Sequence, residues 1–266
     1  MMGKLLIAFR TAKHHGFKFY LFTSSLLISS PSFASDSPTD YTVTNAQSYS
    51  VSSAENINLT SSGNVFILQS GSILGTTVNN GFINNSGTIN DLKNNGTFFL
   101  TRGKTGAVVN LSSGVFRATF GTTGDITNYG TSALSGASTL NVTNAQNATF
   151  TNLSGSINGN FDNSGTAKLS GTSIKNGLTN HASGTFTTNA AIGSTVNNSG
   201  TLNLNGAAKV TGDVISNGGI VTLGGMGVYV QGTLNVTGGT FDVINGTVDS
   251  LSGTANGTLN GNLIIN

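Results

Sequence analysis

One side-chain pattern returns about every eighteen residues through most of this chain, and it limits the fold more than any other feature. With a corner glycine as origin, the copies fall at Gly63, Gly81, Gly96, Gly114, Gly130, Ala148, Gly165, Gly184, Gly200, Gly218 and Gly239, averaging about 17.6 residues apart. Two residues beyond that origin stand Val65, Ile83, Phe98, Phe116, Phe150, Phe186, Leu202, Ile220 and Phe241. Four residues beyond it stand Ile67, Leu100, Leu134, Leu169, Leu204 and Val243. The residue between is Arg117, Lys168, Asn203 or Asp242 in several copies. Apolar and polar residues therefore alternate with period two, so each copy contributes a strand with one buried face. Four residues before the glycine, Leu59, Leu92, Ile126, Phe161, Val196 and Val214 mark a second inward position across the corner. The expected core stack is Phe98, Phe116, Phe150, Phe186, Leu202 and Phe241.

The corner is chemically legible. Asn79, Asn94, Asn128, Asn163 and Asn198 all fall two residues before the glycine. Stacked coils would place these amides one above another, each bonding to the next as a structural ladder. Asn and Gly also accept the left-handed backbone that a sharp turn demands. Thr97, Thr131, Thr149, Thr166, Thr185, Thr201 and Thr240 follow the glycine and suit an outward strand position. Gly is 37 of 266 residues, Pro only 2, and charged residues 8%. Such a polar chain would read as a disordered spacer were its apolar residues not held in phase. No apolar stripe of helical period persists beyond the N-terminus.

A period near eighteen is too short for a propeller blade and suits a coil of two or three short strands. With strands about 4.8 Å apart, ten intervals give a rod roughly 48 Å long. Residues 1–34 read as a signal peptide. Lys4, Arg10, Lys13 and Lys18 precede the apolar runs Phe19–Phe22 and Leu26–Ile28, and Ala34 and Ser35 flank the expected cleavage point. Residues 35–56 lack the repeat and are expected as an N-terminal cap or linker, with β-helix repeats over 57–266. The signal holds four of the eleven basic residues and none of the nine acidic ones, so the processed chain is weakly acidic. Nucleic acid is therefore not an expected partner.

The Asn-Ser-Gly-Thr rungs at 85–88, 163–166 and 198–201, the signal and the absence of Cys resemble passenger domains of Gram-negative autotransporters, of the pertactin-like and diffuse-adherence type. The resemblance implies an all-β fold, a right-handed parallel β-helix (β-solenoid) of about 17–18 residues per coil. It also implies export through the inner membrane to the cell surface or the extracellular space. A host cell or matrix surface, or further copies of the chain, would be the partners. The family's C-terminal membrane barrel has no counterpart in this sequence, so an outer-membrane barrel absent from this chain is an expected further partner. The Asn-Pro-Asn-Gly motif of two-partner haemagglutinins and the Gly-Asp-Ser-Gly motif of autotransporter serine proteases are both absent.

Chemistry-bearing residues are sparse, and no catalytic, metal or cofactor site is expected. The acidic residues are scattered rather than gathered on one face, as a pectinolytic β-helix would require. Asp162 and His181 lie three residues before their glycines and should meet on neighbouring coils, as an exposed ion pair more readily than part of a Ser-His-Asp triad. Gly224-Gly225-Met226-Gly227 lacks the Lys and helix of a phosphate loop and reads as a loop between coils. The expectation is a non-enzymatic rod that adheres or self-associates, with outward apolar residues such as Phe99 and Val221 for contact. An ice-binding solenoid, using Thr149-x-Thr151 and Thr185-x-Thr187, is the alternative, and a polysaccharide-degrading β-helix a third reading.

Overall fold

The computed structural model describes residues 41–44, 48–54, 56–61 and 63–266, so the signal segment and its Ala34–Ser35 junction lie outside the described residues. The described chain is all β, without helix, and winds as a parallel β-solenoid of about 13 turns. Each coil of its middle part has three short strands. On face 1 these include Thr97–Leu100, Val115–Thr119, Thr131–Ser135, Thr149–Asn152, Thr166–Leu169, Thr185–Thr188 and Thr201–Asn205. Face 2 stacks Lys104–Thr105, Thr122–Thr123, Ala137–Thr139, Gly155–Ile157 and Thr172–Ile174. Face 3 stacks Val108–Asn110, Ile126–Asn128, Val142–Asn144, Phe161–Asn163, Leu178–Asn180 and Val196–Asn198. Towards both ends the strands run through the corners, as in Asn64–Asn79 and Val214–Gly253. Gly224–Gly227, expected as a loop, lies inside the latter strand with Met226 pointing out.

Period-two alternation explains the core. Phe98, Phe116, Phe150, Phe186 and Leu202 are fully buried on face 1, and Leu92, Ile126, Phe161 and Val196 are buried on face 3. The face 1 column is not all aromatic: Ser132 and Ala167 interrupt it in register with the phenylalanines. At the coil carrying Ala167, face 3 supplies Phe161, whose ring lies edge-on to both Phe150 and Phe186 at 5.2 Å. A small residue on one wall is thus filled by a large one from another, which keeps the interior close-packed. Phe98 and Phe116, on adjacent coils, stack face to face at 5.6 Å.

Phe241 departs from the expected stack, being only partly buried. Its partner on the following coil is Gly257, which has no side chain to cover the ring. A one-residue shift also occurs at the preceding coil. Gly219, rather than Gly218, takes the tight corner position, where a Cβ would fall 2.4 Å from the Gly200 carbonyl oxygen. Because side chains alternate, the shift turns Val221 inward to full burial and leaves Ile220 45% exposed, the reverse of expectation for both. Within 35–56, expected as cap or linker, the described strands already add rungs to the stack: Tyr41–Val43 pairs in parallel with Ile57–Leu59, and Ser48–Ala54 with Asn64–Asn79.

The face 3 corner carries a buried amide ladder of eight rungs: Asn79, Asn94, Asn110, Asn128, Asn144, Asn163, Asn180 and Asn198. Each Nδ2 donates to the Oδ1 of the next, at 2.7 to 2.8 Å, and Asn198 donates to Ser216 Oγ at 3.1 Å. The same amides donate to corner carbonyls, such as Asn128 to Gly130 at 3.1 Å. Leu59 occupies the ladder position one coil before Asn79, and Ile57 the neighbouring core position that Leu59 was expected to fill. The corners come in two lengths. Asn79, Asn94, Asn128, Asn163 and Asn198 stand two residues before the glycine, whereas Asn110, Asn144 and Asn180 stand four before Gly114, Ala148 and Gly184. Where Ala148 replaces glycine, Asn147 takes the left-handed backbone at φ 67°.

Candidate functional site

Outward side chains of face 1 form two parallel columns, because each strand sits in register on the one before. The first runs Phe82, Thr97, Val115, Thr131, Thr149, Thr166, Thr185, Thr201 and Ile220. Five successive rungs of it, from Thr131 to Thr201, are threonine. The second, two residues along, runs Phe66, Asn84, Phe99, Arg117, Ala133, Thr151, Lys168, Thr187, Asn203 and Thr222. The face is chemically polarised along the axis: aromatic at one end, hydroxyl-rich in the middle.

The aromatic end holds the densest set of outward apolar groups on this face. Phe66 and Phe82 approach to 6.2 Å, Phe82 and Phe99 to 5.5 Å, and the Arg117 guanidinium lies 5.9 Å from the centre of the Phe99 ring. Beside this stripe, where face 1 turns towards face 2, a groove of about 520 Å³ is lined by Phe66, Leu68, Gln69, Ser86, Arg102 and Phe120 among others. Phe120 is 56% exposed and sits in the left-handed region at φ 55°, which a bulky residue rarely occupies. Its ring rests over Gly136, where a Cβ would fall 2.8 Å from Cδ1. Phe99 was legible as an outward contact residue. Phe66 falls at the same outward phase and was equally available, while Phe120 lies in a corner that period-two reasoning does not reach.

The carboxylates do other work. Asp91, Asp125 and Asp213 each immediately precede a face 3 segment and accept the backbone N–H at the equivalent position one coil later, in Ala107, Asn141 and Thr233. Asn56, Asn141 and Asn160 do the same for Thr76, Asn160 and Gly177. A second, exposed Asx ladder therefore braces the turn into face 3. Three of the acids are committed in this way. Asp249 accepts from the Tyr229 hydroxyl at 2.6 Å and from Asn266 Nδ2 at 3.0 Å. These bonds hold the Asp249 carboxyl below its ordinary range, and the bond to Asp249 raises the Tyr229 phenol above its own.

Asp162 and His181 do meet across adjacent coils, Oδ1 to Nε2 at 2.7 Å, with both side chains about half exposed. The contact is diagonal, since Asp162 is in register with Thr179 and His181 lies beyond the ladder residue Asn180. Among the described residues, no group of three or more His, Cys, Asp or Glu side chains is placed to hold a metal ion.

No protein-family model, curated protein or solved structure matches this chain. The fold and the chemistry of its outward faces therefore define the class, a parallel β-solenoid with long, regular, solvent-facing sheets.

Proposed function

We propose that this protein is a non-enzymatic β-helical rod of the cell exterior, exported across the inner membrane, that works by surface contact: adherence to a host cell or matrix, or self-association. Gram-negative surface display, in the manner of an autotransporter passenger, is the setting the signal segment and the repeat support. The aromatic end of face 1 carries the reading. Phe66, Phe82 and Phe99 spend outward positions on rings that a solvated sheet would give to polar residues. Support for a non-catalytic role comes from the acids. Asp91, Asp125 and Asp213 are committed to bracing the backbone rather than facing one another across a cleft.

Ice binding is a second reading, favoured by the five threonines in register from Thr131 to Thr201 and opposed by Lys168 in the adjoining column. One set of measurements separates the two. The purified protein is assayed for binding to cells, to matrix proteins and to itself by light scattering, and for thermal hysteresis. Adherence or self-association without hysteresis is the expected result. Failure in all three contact assays overturns the proposal, and hysteresis in their place would favour the threonine face.

A further inference from the structure

We infer that the groove between faces 1 and 2 is a binding site for an acidic saccharide. This site specifies a ligand for the contact surface proposed above, and so builds on that reading. Its size, about 520 Å³, falls within the range of roughly 300–1,000 Å³ typical of small-ligand sites.

Its walls are mixed in a particular way. Phe66, Leu68 and Phe120 present apolar surface, at 36%, 50% and 56% exposure. Between them stand the amides of Gln69 and Asn84, the hydroxyls of Ser86, Thr101 and Thr119, and the Arg102 guanidinium. Apolar ring faces beside amides and hydroxyls match a pyranose, which offers an apolar C–H face and a rim of hydroxyls. Thr101 Oγ1 already donates to Asn84 Oδ1 at 2.8 Å, but a lipid chain would leave the Gln69 amide, the Ser86 hydroxyl and the Arg102 guanidinium unpaired on binding.

Phe120 shows that the arrangement is built. A bulky residue in the left-handed region is disfavoured and persists only where its surroundings hold it. Here the strained backbone does not bury the ring. It sets the ring over Gly136 at the lip of the groove, open to solvent. Packing on Gly136 and the bond from the Phe120 N–H to the Ser135 carbonyl hold the backbone, and the outer part of the ring is left open for contact with a bound sugar.

Charge selects the ligand further. No carboxylate lines the groove. The Arg102 guanidinium is exposed and has neither an ion pair nor a hydrogen-bond partner among the described residues. Lys104 follows on face 2, and Arg117 stands beside the aromatic stripe. Asp91 and Asp125 are occupied by backbone N–H groups. A free, planar fork of donors in a groove without acid is complementary to a carboxylate or sulfate.

The test titrates the full protein, by calorimetry or NMR, with uronate, sialylated and sulfated oligosaccharides, each beside a neutral counterpart of the same length. At least one acidic probe should bind one per chain and at least tenfold more tightly than its counterpart. Arg102→Gln should abolish that preference. Phe120→Asn, which suits the left-handed backbone, should lose at least tenfold in affinity with its thermal midpoint unchanged or raised, a combination that a merely structural role for Phe120 would not give. Lys168→Gln, further along the same face, should bind as the parent does. Absence of binding across all three acidic classes, equal binding of neutral probes, or undiminished binding by Phe120→Asn overturns the assignment. The two proposals fail separately: if the parent adheres to cells and both groove variants adhere equally well, the groove is wrong and the contact role stands.

Discussion

Asn128 shows what a single ladder residue does in this fold. Its Nδ2 donates to Asn144 Oδ1 at 2.8 Å and to the Gly130 carbonyl at 3.1 Å, while its Oδ1 accepts from Asn110 and from the Ser132 hydroxyl. All of these groups are sealed from water, so each amide is paired only by neighbouring amides, corner carbonyls and the Ser132 hydroxyl. Removing it leaves the buried acceptor Asn144 Oδ1 and the buried Ser132 hydroxyl proton without their partner, each costing about 1–3 kcal/mol, while Asn110 Nδ2 keeps the Gly114 and Thr131 carbonyls. Asn128→Ala should therefore lower stability by about 3 kcal/mol in denaturant unfolding. Asn95→Ala, one residue beyond the ladder and exposed, should stay within about 0.5 kcal/mol. A loss at Asn128 no larger than at Asn95 would mean that the ladder follows from the stacking and does not help to hold it. Five of the eight rungs were legible in the sequence because they keep a fixed distance from the corner glycine. Asn110, Asn144 and Asn180 escaped because their corners are two residues longer. The signal that finds all eight is the triplet of inward residue, outward residue and Asn, as in Val108-Val109-Asn110 and Leu178-Thr179-Asn180.

At the scale of one strand, burial follows alternation closely, but volume is settled between strands. The Phe161–Asn163 strand supplies the ring that occupies the space beside Ala167 in the following face 1 strand. Phe161→Ala would open a cavity flanked by two rings that cannot both collapse into it, because each is fixed by its own strand. The expected loss is about 3–5 kcal/mol, measured by denaturant unfolding with Leu153→Ala, an exposed position, as the comparison. A loss below about 1 kcal/mol would show that the neighbouring phenylalanines repack freely. The sequence made the inward phase of Phe161 plain, yet not its pairing with Ala167, since residues six apart on different walls meet only once the corner angle is known. The same limit applies to Val221 and Ile220. Two adjacent glycines, Gly218 and Gly219, leave the corner ambiguous by one residue, and one residue inverts the strand. The groove was illegible for a related reason. Phe66, Arg102 and Phe120 lie on different coils at the junction of two faces, where neither the strand period nor the corner motif applies.

Along the solenoid, strands pair with the coil before and the coil after, so stability is close to a sum of coil and neighbour terms. These terms are unequal. Between about residues 97 and 205 every coil carries a rung of the buried amide ladder, and its inward positions are covered on both sides. Beyond Ser216 the ladder has no further asparagine rung, Phe241 is only partly covered, and the strand Asn256–Ile265 exposes Leu259, Ile264 and Ile265. Opening should therefore cost least at Asn256–Ile265 and rise towards the middle coils. Native-state hydrogen exchange reads this directly, since local opening free energies range from near zero at fraying elements up to the global value in the core. Amides of Thr131–Ser135, Thr149–Asn152 and Thr166–Leu169 should be the slowest to exchange, and those of Asn256–Ile265 faster by several orders of magnitude. Asn128→Ala should then speed exchange most in its own and the two adjacent coils, fading with distance along the axis in either direction. Uniform acceleration over all coils would mean instead that the solenoid unfolds as one cooperative block, and that the amide ladder joins its coils too tightly for any of them to open alone.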